Sequence, residues 1–162
     1  MTPTDDTPLR TVVDFLNTVD VEDDTDVMAD LGRWRGWVED HLGLDGSAET
    51  AARRDAAVTL RGHLRDIASG ATPDAPQAIP VTVDLYPASG VRLSSETAVG
   101  RVASAVAQLS IERRWSRVKI CPADDCRIAF YDESKNHSRQ WCSMRVCGNR
   151  AKARAHRERA SD

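Results

Sequence analysis

All four cysteines of this chain lie between positions 121 and 150, and their spacing restricts what that stretch can become. The segment reads CPADDCRIAFYDESKNHSRQWCSMRVCGNR, with two matched pairs, Cys121-x4-Cys126 and Cys142-x4-Cys147, separated by fifteen residues. Two short loops that each bring two thiolates to one point form the arrangement a tetrahedral Zn²⁺ requires. Four protein ligands close the coordination sphere, so such a metal is structural and leaves no open position for catalysis. An iron–sulfur cluster and a dithiol redox switch are the alternatives that the spacing leaves open.

The remainder is built for a water-soluble fold. The 162 residues are 41% hydrophobic and 29% charged, which fits one ordinary domain, or one domain with a small appendage. No apolar run approaches the roughly 20 residues that span a bilayer. The first ten residues, MTPTDDTPLR, lack the basic and apolar regions of a secretory signal, so a cytoplasmic protein is expected. In a reducing compartment clustered cysteines are metal ligands more often than disulfides. There is no phosphate-binding loop and no Ser/His/Asp signature, so an enzyme is not expected.

Charge divides the chain. Residues 1–110 carry 9 Lys and Arg against 18 Asp and Glu, whereas residues 111–162 carry 13 against 7. From Lys135 onward the count is 8 against 2. The overall net charge of −3 therefore conceals a basic C-terminal end, which suits a polyanion locally. Four thiolates with one Zn²⁺ add about −2 and weaken that end without reversing it.

Hydrophobic periodicity predicts a mainly α N-terminal region with one β-hairpin. Leu9, Val12, Val13, Leu16 and Val19 mark a helix over 8–19, with Thr7 as its cap. The acidic run DVEDDTD at 20–26 reads as a solvated loop. A second helix is expected over 30–41, ended by Gly43, with Trp34 and Trp37 in the core. A third runs over 47–69, with Ala52, Ala56, Leu60, His63, Leu64 and Ile67 inward and Arg53, Arg54, Arg61 and Arg65 on a solvated face. Residues 71–80 form a Pro/Ala-rich connector. Val81, Val83 and Leu85 alternate as in a half-buried strand, residues 87–90 turn, and 91–93 return. A fourth helix, capped by Ser94 or Ser95, extends to 111 with Val99, Val102, Val106 and Leu109 inward.

Two short strands, 118–120 and 127–131, should flank the first cysteine pair, while the second pair should fall where a loop becomes a helix. The segment 115–160 has few large apolar side chains, and a unit of that size needs a staple. Structural Zn²⁺ supplies roughly 10–16 kcal/mol of apparent binding energy to such units.

The terminal stretch, GNRAKARAHRERASD, has no large apolar residue and interleaves its basic side chains with alanine. A slim basic helix fits phosphate backbones or a DNA groove, although a solvated terminal helix has the same composition. Asn149 and Arg150 have the chemistry for base edges, since Asn pairs with adenine and Arg with guanine. Lys135, Arg139 and Arg145 surround the cysteine loops and, with Lys152, Arg154 and Arg157, suit phosphates.

Cys147-Gly148-Asn149-Arg150 is the tetrapeptide that names the CGNR zinc fingers. The chain also resembles that family at Cys121-Pro122, Cys126, Phe130, Asp132, Ser134-Lys135-Asn136, Arg139 and Trp141-Cys142-Ser143-Met144. Asp14-Phe15-Leu16-Asn17-Thr18 resembles the opening of the ABATE-type helical domain paired with that finger in bacterial regulators described as stress-induced. The resemblance implies Zn²⁺ on Cys121, Cys126, Cys142 and Cys147, DNA binding around Asn149 and Arg150, and a small-molecule effector in the N-terminal part. The sequence thus predicts an α+β, mainly α chain: a helical sensing domain over 1–112 and a zinc-binding, DNA-contacting hairpin-plus-helix module over 113–162. A single finger offers little contact area, so a homodimer would aid specificity. A protein- or RNA-interaction module and a thiol redox sensor are the competing functions.

Overall fold

The computed structural model describes residues 7–88 and 90–160, excluding the side chains of residues 158 and 160. Its elements run α1 (Thr7–Leu16), β1 (Val19–Asp20), β2 (Thr25–Asp26), α2 (Leu31–Trp37), α3 (Ala51–Ala68), β3 (Thr82–Tyr86), β4 (Gly90–Ser94), α4 (Ala98–Ile111), β5 (Val118–Ile120), β6 (Ala129–Tyr131) and α5 (Asn149–Ala160). The strands form three separate antiparallel pairs, β1–β2, β3–β4 and β5–β6, so the fold is mainly helical as the periodicity indicated.

Helices α1 to α4 close around one core. Val12, Phe15 and Leu16 of α1 meet Trp34 and Trp37 of α2, Leu60 and Leu64 of α3, and Val102 and Leu109 of α4. The two indoles stack at 5.3 Å between centroids, and Phe15 meets Trp34 edge-on at 6.4 Å, so both tryptophans are core, as expected. A single π-helical turn (Val38–Leu42) extends α2, and Gly43 ends it at a φ of 63°, a left-handed conformation that glycine adopts without strain.

Several local expectations are corrected by hydrogen bonding that pattern alone does not encode. Helix α1 stops at Leu16 because Asn17 and Thr18 turn the chain, and Val19 enters a strand pair. Helix α3 is capped by Thr50 rather than started at Ser47, since the Thr50 hydroxyl accepts from the Arg53 N–H. Glu49 just before it is buried and accepts from Trp34 Nε1 at 2.9 Å. For α4 the cap is Thr97, which accepts from the Gly100 N–H. Ala52 and Ala56 point outward, and Ala57 takes the inward position.

Two of the four arginines expected on a solvated face are not there. Arg61 is buried, and its guanidinium forks onto Asp26 at 2.7 and 2.6 Å while donating to Thr18 Oγ1 at 2.9 Å. Arg65 is half-buried and donates to the carbonyls of Leu16 and Arg127, each at 2.6 Å. Asp26 thus ends the acidic run as a structural anchor: it also caps the short turn Val27–Ala29. Burial pushes its carboxyl up, but the Arg61 fork and the Met28 N–H more than offset this and hold it below its ordinary range.

The β3–β4 hairpin has the expected strands, but its apolar face is uncovered. Val83, Leu85 and Val91 are 55%, 75% and 69% exposed. Alternation identifies which face is apolar, not whether another layer covers it; here no described element does. Part of the expected turn, residue 89, lies outside the described residues.

The β5–β6 hairpin is where the cysteine stretch meets the helices. Val118, Ile120 and Ala129 join the helical core, whereas Phe130 packs in a second, smaller cluster with Cys121, Cys126 and Cys147. Asn17, at the end of α1, clasps β6 by donating to the Ala129 carbonyl at 2.9 Å and accepting from its N–H at 2.7 Å.

Candidate metal centre and basic helix

The first cysteine pair occupies the loop between β5 and β6. There the Cys121 N–H donates to Ile128 O at 2.8 Å, and the N–H groups of Cys126 and Arg127 both converge on Ala123 O. Arg127 has a φ of 56°, which turns the chain out of the loop and into β6. Of the second pair, Cys142 precedes and Cys147 lies within a π-helical turn (Met144–Gly148) capped by the Ser143 hydroxyl, and α5 begins directly after it. Cys147 is therefore fixed to the foot of the basic helix.

The four Sγ atoms lie within 4.8 Å of one another, with Cys126–Cys142 at 3.5 Å and Cys142–Cys147 at 3.6 Å. Tetrahedral Zn–S bonds of about 2.3 Å place sulfurs roughly 3.8 Å apart, so this cage fits the ion. The sulfurs are too far apart for disulfide bonds, and all four cysteines are free. Cys121, Cys126 and Cys147 are buried and Cys142 is half-buried. The chain thus holds a site for one structural Zn²⁺.

Burial pushes the Cys126 and Cys142 thiols up, so they hold their protons until a cation displaces them. Cys147 goes the other way. Burial raises it, but Arg150 Nη2, 3.5 Å from its sulfur, and then the other three thiols together more than offset that and lower it.

Hydrogen bonds centred on Asp132 and Lys119 order the loop between the pairs. The Asp132 side chain is fully buried and accepts from Lys119 Nζ at 2.6 Å, from the Ser134 N–H at 2.9 Å and from the Arg139 N–H at 3.0 Å. Burial opposes its charge, yet Lys119 first, then the Ser134 donors, hold the carboxyl well below the usual carboxylate range. Lys119 Nζ reaches the carbonyls of His137 and Arg139 as well, and Arg117 grips those of Asp132 and Ser134. Neither Lys119 nor Arg117 was singled out from the sequence. The usable signal was Asp132-x-Ser134 directly after a strand, an Asx-turn spacing.

The residues proposed for polyanion contact fall into two groups. Arg150 is half-buried, with Nη1 3.2 Å from Asp125 and 3.9 Å from Glu22, and its Nε buried without a partner among the described residues. Arg139 donates to the carbonyls of Trp141 and Cys142 and lies over the Phe130 ring at 4.9 Å. Both are engaged at the metal loops. Lys135, Arg145, Lys152, Arg154 and Arg157 are exposed, and Asn149 is exposed with its amide donating to Arg145 O at 3.1 Å. Helix α5 buries no residue of known exposure.

The CGNR zinc finger family model matches residues 117–160, and the model described as "ABATE: Putative stress-induced transcription regulator" matches residues 9–124. Both are regulatory or zinc-finger families rather than enzyme families. They overlap on β5, whose Val118 and Ile120 pack into the helical core, and on the first cysteine, which belongs to the smaller cluster around the metal site. No curated protein matches the chain. Among the described residues, no helix is long and apolar enough to cross a membrane.

Proposed function

The chain belongs to the ABATE family and carries a CGNR zinc finger, and from that membership we propose that it is a zinc-dependent, DNA-binding transcriptional regulator of the bacterial cytoplasm. The observation that carries the reading is the placement of α5. A slim, alanine-spaced helix with exposed Lys152 and Arg154 starts at the residue following the Cys147–Gly148 step, so the metal cage sets its direction. Phosphate contact falls to Lys135, Arg145, Lys152, Arg154 and Arg157, whose exposure favours a polyanion. Asn149 is the residue for a base edge, because its amide can exchange its Arg145 carbonyl for adenine. Arg139, also exposed, and the half-buried Arg150 hold the metal loops in register beside this surface and can add to the contact.

In this reading residues 113–162 contact DNA and residues 1–112 sense a small effector, with the Asn17–Ala129 clasp and the Arg65–Arg127 bond joining the two. One finger covers few base pairs, so the regulator binds as a homodimer on paired half-sites. Selection from a random duplex pool by the zinc-loaded chain tests this. Enrichment of a repeated short motif is the expected result. A pool that stays random, or preferential capture of RNA or a protein, would overturn it.

A further inference from the structure

A cleft of about 310 Å³ lies between α3, α4 and the connector before β3. Its walls are aliphatic, among them Leu64 and Ile67 of α3, Ala103 and Val106 of α4, and Ile79 and Val81 of the connector. The polar groups on it are His63 and Gln77, and no charged side chain lines it. Gln77 is exposed, and His63 is half-buried, with ring nitrogens that reach solvent and hydrogen-bond to no described residue. The imidazole carries both a donor and an acceptor when neutral. An apolar cleft near the lower end of ligand-site volumes, with one unpartnered hydrogen-bonding group, has the composition of a small-molecule site.

We infer that this cleft binds a small, uncharged, mainly aliphatic molecule through one hydroxyl or carbonyl head group hydrogen-bonded to His63. The aliphatic walls take the body of the ligand. A carboxylate or ammonium head is disfavoured because no lining residue carries a charge to compensate its desolvation. The site has a connection to the metal loops: two residues beyond His63 on α3, Arg65 holds the carbonyl of Arg127, which follows Cys126. This deepens the regulator reading by giving an effector a place and a chemical class, and rests on that reading only for the consequence of binding.

The test is a titration of the zinc-loaded, isotope-labelled full chain with 1-hexanol and, separately, hexanoate, followed by amide and methyl NMR without DNA. Hexanol should shift the signals of Leu64, Ile79 and Val106 saturably, with hexanoate at least about tenfold weaker. Ala103→Trp should fill the cleft and abolish the shifts while leaving the rest of the spectrum in place. His63→Leu should weaken hexanol roughly two- to tenfold, the loss of one hydrogen bond. No saturable shift up to the solubility of hexanol would overturn the proposal, as would shifts that persist in Ala103→Trp. Tighter hexanoate would overturn the head-group assignment, and shifts that track protein dilution alone would assign the cleft to a second copy. Because the readout contains no DNA, failure of the DNA reading leaves this result standing.

Discussion

Asn17→Ala should loosen the metal-binding hairpin from the helices without touching a cysteine. The Asn17 side chain makes two hydrogen bonds to one residue, accepting from the Ala129 N–H at 2.7 Å and donating to its carbonyl at 2.9 Å. Each is worth about 1 kcal/mol net, and the substitution leaves both backbone groups of a residue only 2% exposed without that partner. Their desolvation raises the loss to about 2–3 kcal/mol, which for a chain of this size lowers Tm by about 4–12 °C. Urea denaturation of the zinc-loaded protein gives the free energy, and hydrogen exchange at the Ala129 amide gives the location. That amide should exchange much faster in the variant, with amides within α3 accelerated less, by no more than the global loss of stability. A loss below about 0.5 kcal/mol, or an unchanged Ala129 amide, would refute the claim that this side chain clasps the hairpin to the helices.

Other outcomes follow from the same contacts. Cys142→Ser should abolish stoichiometric zinc binding and disorder residues 121–150 while α1 to α4 persist; loss of all helical circular dichroism would contradict that division. Arg150→Gln should speed zinc transfer to a chelator by roughly tenfold, since it removes the donor to Cys147 and the tie to Asp125. Because the folded Asp26 carboxyl lies below its ordinary value, its contribution to stability is present above about pH 4 and is lost as pH falls through the folded value. The stability gap between the parent and Asp26→Asn, measured by urea midpoints, should therefore be widest near neutrality and shrink below about pH 4.

The parts legible in the sequence were those set by local spacing. Two Cys-x4-Cys pairs specify a cage whichever way the helices pack, and Trp34 with Trp37 on one helix and Leu60 with Leu64 on the next are spaced at helical period, so their burial could be read directly. What could not be read depends on partners distant in the chain. Arg61 looks like surface until Asp26 and Thr18 are brought beside it, and Arg65 until the Leu16 and Arg127 carbonyls are. The Asp14-to-Thr18 motif matched a family without an evident reason. The structure supplies one: Phe15 and Leu16 enter the core, Asn17 clasps β6, and Thr18 receives Arg61. For Arg150 the sequence shows chemistry that suits guanine but not the neighbours the fold supplies, Asp125 and the Cys147 sulfur. The exposed β3–β4 face was unreadable because alternation carries no information about what lies above a sheet.

The salt dependence of duplex binding by the zinc-loaded chain tests most directly whether the basic helix makes the contact. With about five phosphates met by Lys135, Arg145, Lys152, Arg154 and Arg157, a plot of log affinity against log salt should fall with a slope near roughly −4.5. Metal-free protein, its α5 no longer directed by the cage, should bind far more weakly. A flat salt dependence, or equal binding with and without zinc, would contradict the claim that the cysteines build the site and the basic helix makes the contact.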